Sequence, residues 1–384
     1  MTSNLQMNDA SPESGTFKSV GSALISAALS LPFTGQALAE NAPDKGTISV
    51  KYLDYLDSQP GEDRIKVKAT AVKIIAPVSG EWSLGGSVTT DGISGASPSY
   101  HNAGLKKMED RRNAADVEVT RYFQTSAITL GLNVSNESDY VSKGLSAQAS
   151  FSSEDRNTTW AAGIGMNRDT INPNNKIVTD EKKRVLDLLF SVTQVLTSKD
   201  ITQLSVGISH GSGYFSDPYK VFDNRPRERT NRTLLARWNH FIDLTQGTAR
   251  LSYRYYSDTW SIKAHTIGLE YVQPLINGWT ITPQLRIYSQ SAANFYVNAD
   301  TSGSPFPPNP PEDVIYFSED QRVSAFGART LGLKVAKQLG DDWLVDIKVE
   351  QYTQRSDWRL FGSGSPGMLP FYARSIQLGL SKQF

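Results

Sequence analysis

The chain has 384 residues, 39 of them basic and 39 acidic, and no cysteine. Balanced charge excludes a nucleic-acid surface, which needs a basic excess to displace counterions from phosphates; the missing thiols exclude a disulfide framework and a thiolate metal site. With 20% charged and 39% hydrophobic residues, the composition fits a soluble protein or a β-barrel, whose strands need only one apolar face.

The first element is Val20 to Ala39, an uncharged run preceded by Lys18 and ending in Ala37-Leu38-Ala39 before Glu40. This layout reads as a secretory signal peptide, residues 1–39, cleaved after Ala39 to leave 40–384 as one barrel domain. Asp9 and Glu13 make its leading region atypical, and an uncleaved anchor helix is the alternative. No later stretch approaches the roughly 18 apolar residues of a membrane helix.

From Gly46 onward the pattern has period two. Ile128, Leu130, Leu132 and Val134 alternate with Thr129, Gly131, Asn133 and Ser135. Leu186, Leu188, Phe190 and Val192 alternate with Asp187 and Ser191, and Trp343, Val345, Ile347 and Val349 with Asp346, Lys348 and Glu350. Successive side chains of a strand take opposite faces, so each run has one apolar and one polar face. The predicted strands are 46–56, 64–78, 82–91, 113–123, 126–137, 142–152, 157–168, 183–197, 200–212, 228–242, 247–256, 260–275, 279–290, 321–339, 342–356 and 370–384.

The connections alternate in length. Those near 79–81, 125, 153–156, 198–199, 243–246, 276–278 and 340–341 are short; 92–112, 169–182, 213–227, 291–320 and 357–369 are long. Tight turns at one rim and long loops at the other predict an all-β fold: an antiparallel transmembrane barrel of about sixteen strands (fourteen to eighteen), with turns in the periplasm and loops outside. The longest loop carries Pro305, Pro307, Pro308, Pro310 and Pro311, which cannot join a ladder; it is expected to cap or constrict the mouth. A pair of soluble β-sandwiches is the competing fold. Trp82, Trp279 and Trp343 each follow a short turn, which favours an aromatic girdle at the inner interface. The chain closes on Tyr372, Ile376, Leu378, Leu380 and Phe384 in one parity. A terminal Phe on such a strand resembles the signature by which Gram-negative barrel proteins are recognised by the assembly machinery.

Asp91-Gly-Ile-Ser-Gly-Ala-Ser-Pro98, Arg254-Tyr-Tyr-Ser-Asp-Thr-Trp260, Gln290-Ser-Ala-Ala-Asn-Phe-Tyr296 and Ser324-Ala-Phe-Gly-Ala328 resemble stretches of the domain-of-unknown-function 3570 family of predicted bacterial outer-membrane β-barrel proteins. The resemblance implies an envelope barrel and brings no catalytic residues or cofactor. Asn294 stands where the resemblance leads one to expect Asp, which weakens a metal-ligand reading of that stretch.

If the apolar parity faces lipid, the other lines the lumen, because a lipid-facing Arg or Lys near the midplane costs about 2–4 kcal/mol. Arg237, Arg250, Arg254, Arg286, Lys334, Lys348, Lys66 and Lys68 are then assigned inward, with Asp116, Glu118, Asp187, Glu270, Asp346 and Glu350. The four arginines gather on three strands, and a basic wall lowers the barrier for an anion; lumenal salt bridges are the plainer alternative. Asp91, Asp217, Asp223 and Asp258 at the outer rim suit Ca²⁺ chemically, but turn formation explains them equally. His101, His210, His240 and His265 lack zinc-ligand spacing. His210, Ser212 and Asp217 are the only local set of hydrolase type. The sequence therefore reads as a porin-like passive channel for small polar or anionic solutes, not an enzyme, without metal or cofactor. The alternative is a closed-lumen barrel acting as scaffold or binding component of an envelope assembly. Its partners are outer-membrane lipid, the barrel-assembly machinery, small solutes and, for the alternative, envelope proteins.

Overall fold

The structure, a computed structural model, describes residues 42–100, 103–220, 222–299 and 313–384, with only the backbone described over 95–100 and 103–108. The signal peptide assigned to 1–39 and the five prolines of the longest loop lie outside the described residues. Among the described residues sixteen strands follow in chain order, the first half comprising β1 (Thr47–Gln59), β2 (Glu62–Pro77), β3 (Trp82–Tyr100), β4 (Ala103–Tyr122), β5 (Ser126–Asn136), β6 (Tyr140–Ser152), β7 (Thr158–Ile171) and β8 (Glu181–Val195). The second half comprises β9 (Asp200–Gly213), β10 (Glu228–Ile242), β11 (Gly247–Asp258), β12 (Lys263–Pro274), β13 (Trp279–Gln290), β14 (Phe326–Leu339), β15 (Trp343–Arg355) and β16 (Phe371–Gln383).

Each strand pairs antiparallel with its sequence neighbours, and β1 pairs with β16, so the sheet closes on itself. Closure leaves no edge carrying unpaired backbone groups. Sixteen strands at the usual spacing and tilt give a backbone diameter of roughly 30 Å. The seam runs from Thr47 opposite Gln383 to Ser58 opposite Tyr372. Gly46 and Phe384 extend it with two backbone hydrogen bonds of 2.9 Å, one each way.

The period-two pattern sets the faces. On β8, Leu186, Leu188 and Phe190 are exposed outside, while Val185, Asp187, Leu189 and Ser191 are buried inside. On β16, Tyr372, Ile376, Leu378 and Leu380 share the outer face, and Phe384 is exposed beyond them. The short turns use backbone that matches strand twist. Between β12 and β13, Asn277 and Gly278 both have positive φ, 57° and 74°, the handedness tight hairpins prefer.

Two sequence assignments are corrected. Residues 92–112, expected to form a long loop, instead continue β3 and β4 as one hairpin, from Gly92 opposite Arg111 to Tyr100 opposite Ala103. Its Gly and Ser residues lack the apolar alternation of a buried strand, yet the ladder satisfies their backbone groups. Lys66 and Lys68, assigned inward, share the outer face with Val72 and Ile74 and are exposed. They lie at the long-loop end of β2, where an outward ammonium is not confronted with the apolar belt. Just beyond them the β1–β2 register shifts between Leu56 and Ser58. This bulge places two β2 residues, Arg64 and Ile65, opposite Asp57, and Arg64 turns inward to meet it.

Candidate functional site

The inner face differs from wall to wall. Apart from the buried Asp169–Lys183 pair near the long-loop rim, strands β5 to β9 line it mostly with small or uncharged residues: Thr129, Gly131 and Asn133; Gly144, Ser146 and Gln148; Ala161, Gly163 and Gly165; Ser205 and Gly207. Asp187 is a carboxylate set among them, buried opposite Ser209. Strands β10 to β16 carry long charged side chains.

On that charged wall, one cross-strand row runs Arg237, Ser252, Gly268, Arg286 and Thr330. The row towards the long-loop rim begins Leu235, Arg254, Thr266 and Tyr288. The row towards the short-turn rim runs Asn239, Arg250, Glu270, Gln284, Gly332, Glu350 and Ser375. The four arginines therefore surround Ser252 and Gly268. A Cβ on Gly268 would lie 2.6 Å from the Ser252 hydroxyl, which would have to turn away, so glycine leaves the space between Arg237 and Arg286 open.

The acids partly neutralise this wall. Arg250 reaches Glu270 at 3.7 Å, Lys334 reaches Asp346 at 3.2 Å and Lys348 reaches Glu350 at 3.2 Å. Gln284 donates to Glu270 at 3.1 Å. Arg237 donates instead to the neutral Gln203 at 3.3 Å. Among the described residues no carboxylate lies within ion-pair distance of Arg286. Asp116 and Glu118 also face inward, Asp116 accepting from Ser87 and Glu118 lying 3.8 Å from Lys73.

The mouth at the long-loop rim holds a network that sequence reasoning missed. Arg225, in the β9–β10 loop, donates to Asp223 at 3.0 Å and to Asp320, in the β13–β14 loop, at 2.7 Å. Arg322 pairs with both Asp320 and Asp217, which returns the connection to the first loop. Burial alone would raise the Asp320 carboxyl. Arg322, Arg225 and Lys220 outweigh it and hold that carboxyl well below the ordinary range. Beside it, Glu319 is buried with neither carboxylate oxygen hydrogen-bonded, and desolvation pushes its carboxyl up to about 7. The loops also pack apolar groups beneath the network: Trp260, Phe295 and Val323 form a buried cluster against Phe215 and Tyr256. The signal was present in the loops, where Asp223 and Arg225, and Asp320 and Arg322, recur two residues apart; nothing in the sequence showed that the pairs would meet.

The other two acids singled out at the outer rim, Asp91 and Asp258, are engaged. Asp91 accepts from Arg112 at 2.8 Å, and Asp258 accepts from Arg229 and from the backbone N–H groups of Trp260 and Ile262. Asp110, Glu137 and Asp139 form an acidic group within 4.8 Å of one another, in which Asp139 accepts from Tyr219. His210 lies on the outer face, bonded to Thr230 at 2.8 Å, whereas Asp217 is held inside by Arg322. The His210, Ser212 and Asp217 set is not brought together.

At the short-turn rim the three tryptophans open β3, β13 and β15 on the outer face. Each carries a cation from its direct cross-strand partner: Arg121 5.2 Å from Trp82, Lys337 5.0 Å from Trp279 and Lys382 5.1 Å from Trp343.

Among solved structures, a bacterial polysaccharide outer membrane secretin superimposes with a TM-score of 0.52 at 8% identity, over 88% of this chain and 98% of that one. CdiB from Acinetobacter baumannii gives 0.47 at 10% identity, over 87% and 60%. The outer membrane protein opdK from Pseudomonas aeruginosa gives 0.44 at 10% identity, over 88% and 99%. The first likeness is one of fold, a closed barrel of the outer-membrane kind. No curated protein sequence matches the chain. The model of the family described as Protein of unknown function (DUF3570) matches residues 102–180 and 174–374, and the chain belongs to that family.

Proposed function

We propose that this barrel is a porin-like channel of the bacterial outer membrane that passes small anionic solutes. In this reading the 1–39 segment directs export and is removed after Ala39. The short turns face the periplasm, with Trp82, Trp279 and Trp343 as the inner girdle. The terminal strand ending in Phe384 is the element the assembly machinery reads. The observation that carries the solute class is the arginine group on one wall, with Arg237 and Arg286 held apart by Ser252 and Gly268 and free of carboxylate partners among the described residues. Positive charge on a low-dielectric wall lowers the barrier for an anion and raises it for a cation. Lys334, Lys348, Asp346, Glu350, Glu270 and Asp187 complete the path as a mixed-charge lining. The two loops joined through Arg225 and Asp320 form its lid. Single-channel recording from the purified barrel in a planar bilayer tests this: an anion-selective current supports it, and no current after deletion of the β13–β14 loop overturns it.

A second reading has its own observation. The buried ion-pair network between the two loops would equally suit a mouth held shut, with the barrel serving as scaffold or binding component of an envelope assembly. Absence of current both with and without the loop, together with capture of an envelope protein by the intact barrel, would favour it.

A further inference from the structure

The outer face carries a second basic group, apart from the arginines of the lumenal wall. Lys143 on β6, Arg168 on β7 and Arg184 on β8 stand directly opposite one another across two consecutive strand pairs. All three are exposed and on the outer face. None forms an ion pair or side-chain hydrogen bond among the described residues. Asp169, the acid next in sequence to Arg168, points inward, where it is buried against Lys183 at 3.1 Å. Continuing the row past Arg184 meets Ser212 and then Glu228, two strands away. Like charges set directly opposite on a sheet destabilise it, so three in register favour an external anion.

Their level on the barrel identifies the kind of anion. The next outward-facing row towards the short turns is Leu145, Met166 and Leu186. Eight residues along β7 from Arg168 lies Trp160, which stacks on Phe151 at 5.8 Å between ring centroids. Eight residues along a tilted strand span about 20 Å of membrane normal, close to the height of the apolar band of such barrels. The aromatic row thus marks one boundary and the three cations the other, at the long-loop rim. The spacing of three strands sets the cations over about 10 Å, and they sit directly above a lipid-facing apolar surface. A ligand here joins anionic groups to acyl chains.

We propose that Lys143, Arg168 and Arg184 bind the phosphate groups of a phosphorylated glycolipid in the outer leaflet, whose acyl chains lie along Leu145, Met166 and Leu186. The proposal rests on the outer-membrane reading above. It is independent of what the lumen transports. An arginine fork can bind phosphate through two donors at once, and paired guanidinium and ammonium groups are the usual means of holding lipid phosphate at a membrane surface.

The test uses the full mature barrel in neutral detergent, with diphosphorylated lipid A and its dephosphorylated form as probes in native mass spectrometry. The wild type is expected to bind the diphosphorylated form at least about tenfold more tightly, the effect of roughly one charge-assisted contact. In Lys143→Gln/Arg168→Gln/Arg184→Gln that preference disappears. Heat-shifted electrophoretic mobility confirms that the variant is a folded barrel, and Lys143→Arg, which keeps the charge, retains the preference. Equal binding of the two lipids by the wild type, or an undiminished preference in the folded triple variant, overturns the proposal. Equal displacement by phosphatidylglycerol overturns the glycolipid assignment. A wild-type barrel that fails to enter bilayers at all would instead contradict the membrane reading on which the proposal stands.

Discussion

Arg225 and Asp320 lie 95 positions apart in sequence and meet at 2.7 Å, both buried, where the β9–β10 and β13–β14 loops cross the mouth. Neither is in a strand, yet together with Arg322, Asp217 and Asp223 they give two connecting segments a fixed relation. Asp320 takes guanidinium groups from both loops, so it is the centre of the staple. Asp320→Ala leaves Arg225 and Arg322 without it. Removing one partner of a buried pair costs about 3–5 kcal/mol. Hydrogen exchange in residues 214–220 and 313–325 is expected to accelerate at least a hundredfold, with strand protection unchanged. Unaltered exchange would show that the apolar contacts of Trp260, Phe295 and Val323 hold the loops without the ion pairs.

Glu319 gives the same lid a pH dependence. Its carboxyl is raised from an ordinary 4.5 to about 7 because it is buried without a hydrogen-bond partner. A raised folded-state value means that the neutral form stabilises the packed loop. That stability is complete below about pH 4.5 and is lost as pH rises through about 7. Protease access to the β13–β14 loop is expected to increase between pH 5 and 8 in the wild type and to stay low in Glu319→Gln. The same rise in Glu319→Gln would assign the dependence to another group, such as Glu137, whose carboxyl burial also pushes up to about 7.

Gly213 ends β9 with φ of 122°, and a Cβ there would sit 2.0 Å from the Lys182 carbonyl oxygen on β8. A side chain in that backbone region costs about 1–3 kcal/mol before any clash. Gly213→Ala is expected to lower the urea midpoint of the refolded barrel, whereas Gly61→Ala, also at positive φ but with open space around it, is expected to have a smaller effect. Equal midpoints for Gly213→Ala and wild type would contradict the close approach of the two strands.

Much of this architecture could be read from the sequence because lipid and water impose opposite demands on alternate residues. The runs at 128–134, 186–192 and 343–349 required strands, and the alternation of short and long connections required an up-and-down order. The position of Arg237, Arg250, Arg254 and Arg286 on one wall followed from parity. Lys66 and Lys68 were misassigned because an inward preference for charge holds only within the apolar belt, and they lie beyond it. The bulge opposite Asp57 compounded the problem, since one extra residue reverses parity for Arg64. The β3–β4 extension was hidden because Gly92, Ser94 and Gly95 suit turns and exposed ladders alike. The lid was illegible for a different reason: contacts between loops have no period, and Arg225 and Asp320 are brought together only by closure of the barrel.

Phe384 extends the seam beyond β16, and its ring lies over Gly46, where a Cβ would meet it at 2.4 Å. Gly46→Leu would displace the ring, and removal of Phe384 would leave two backbone bonds of the closure unmade. Both are expected to slow assembly, read as accumulation of the heat-insensitive unfolded band during refolding into vesicles supplied with assembly machinery. If the ring acts only through recognition, Gly46→Leu assembles at the wild-type rate while the chain lacking Phe384 is slow. Normal assembly of the chain lacking Phe384 would remove the terminal residue from the account.

Anion selection by the arginine wall is measured most directly by the reversal potential. With a tenfold potassium chloride gradient across a planar bilayer, the wild-type barrel should reverse on the chloride side of zero. Arg237→Ser/Arg250→Ser/Arg254→Ser/Arg286→Ser should move the reversal to zero or to the potassium side, because Glu270 loses Arg250 and stands uncompensated with Asp187, while Asp346 and Glu350 stay paired with Lys334 and Lys348. Retained chloride selectivity in the folded quadruple variant would contradict the account.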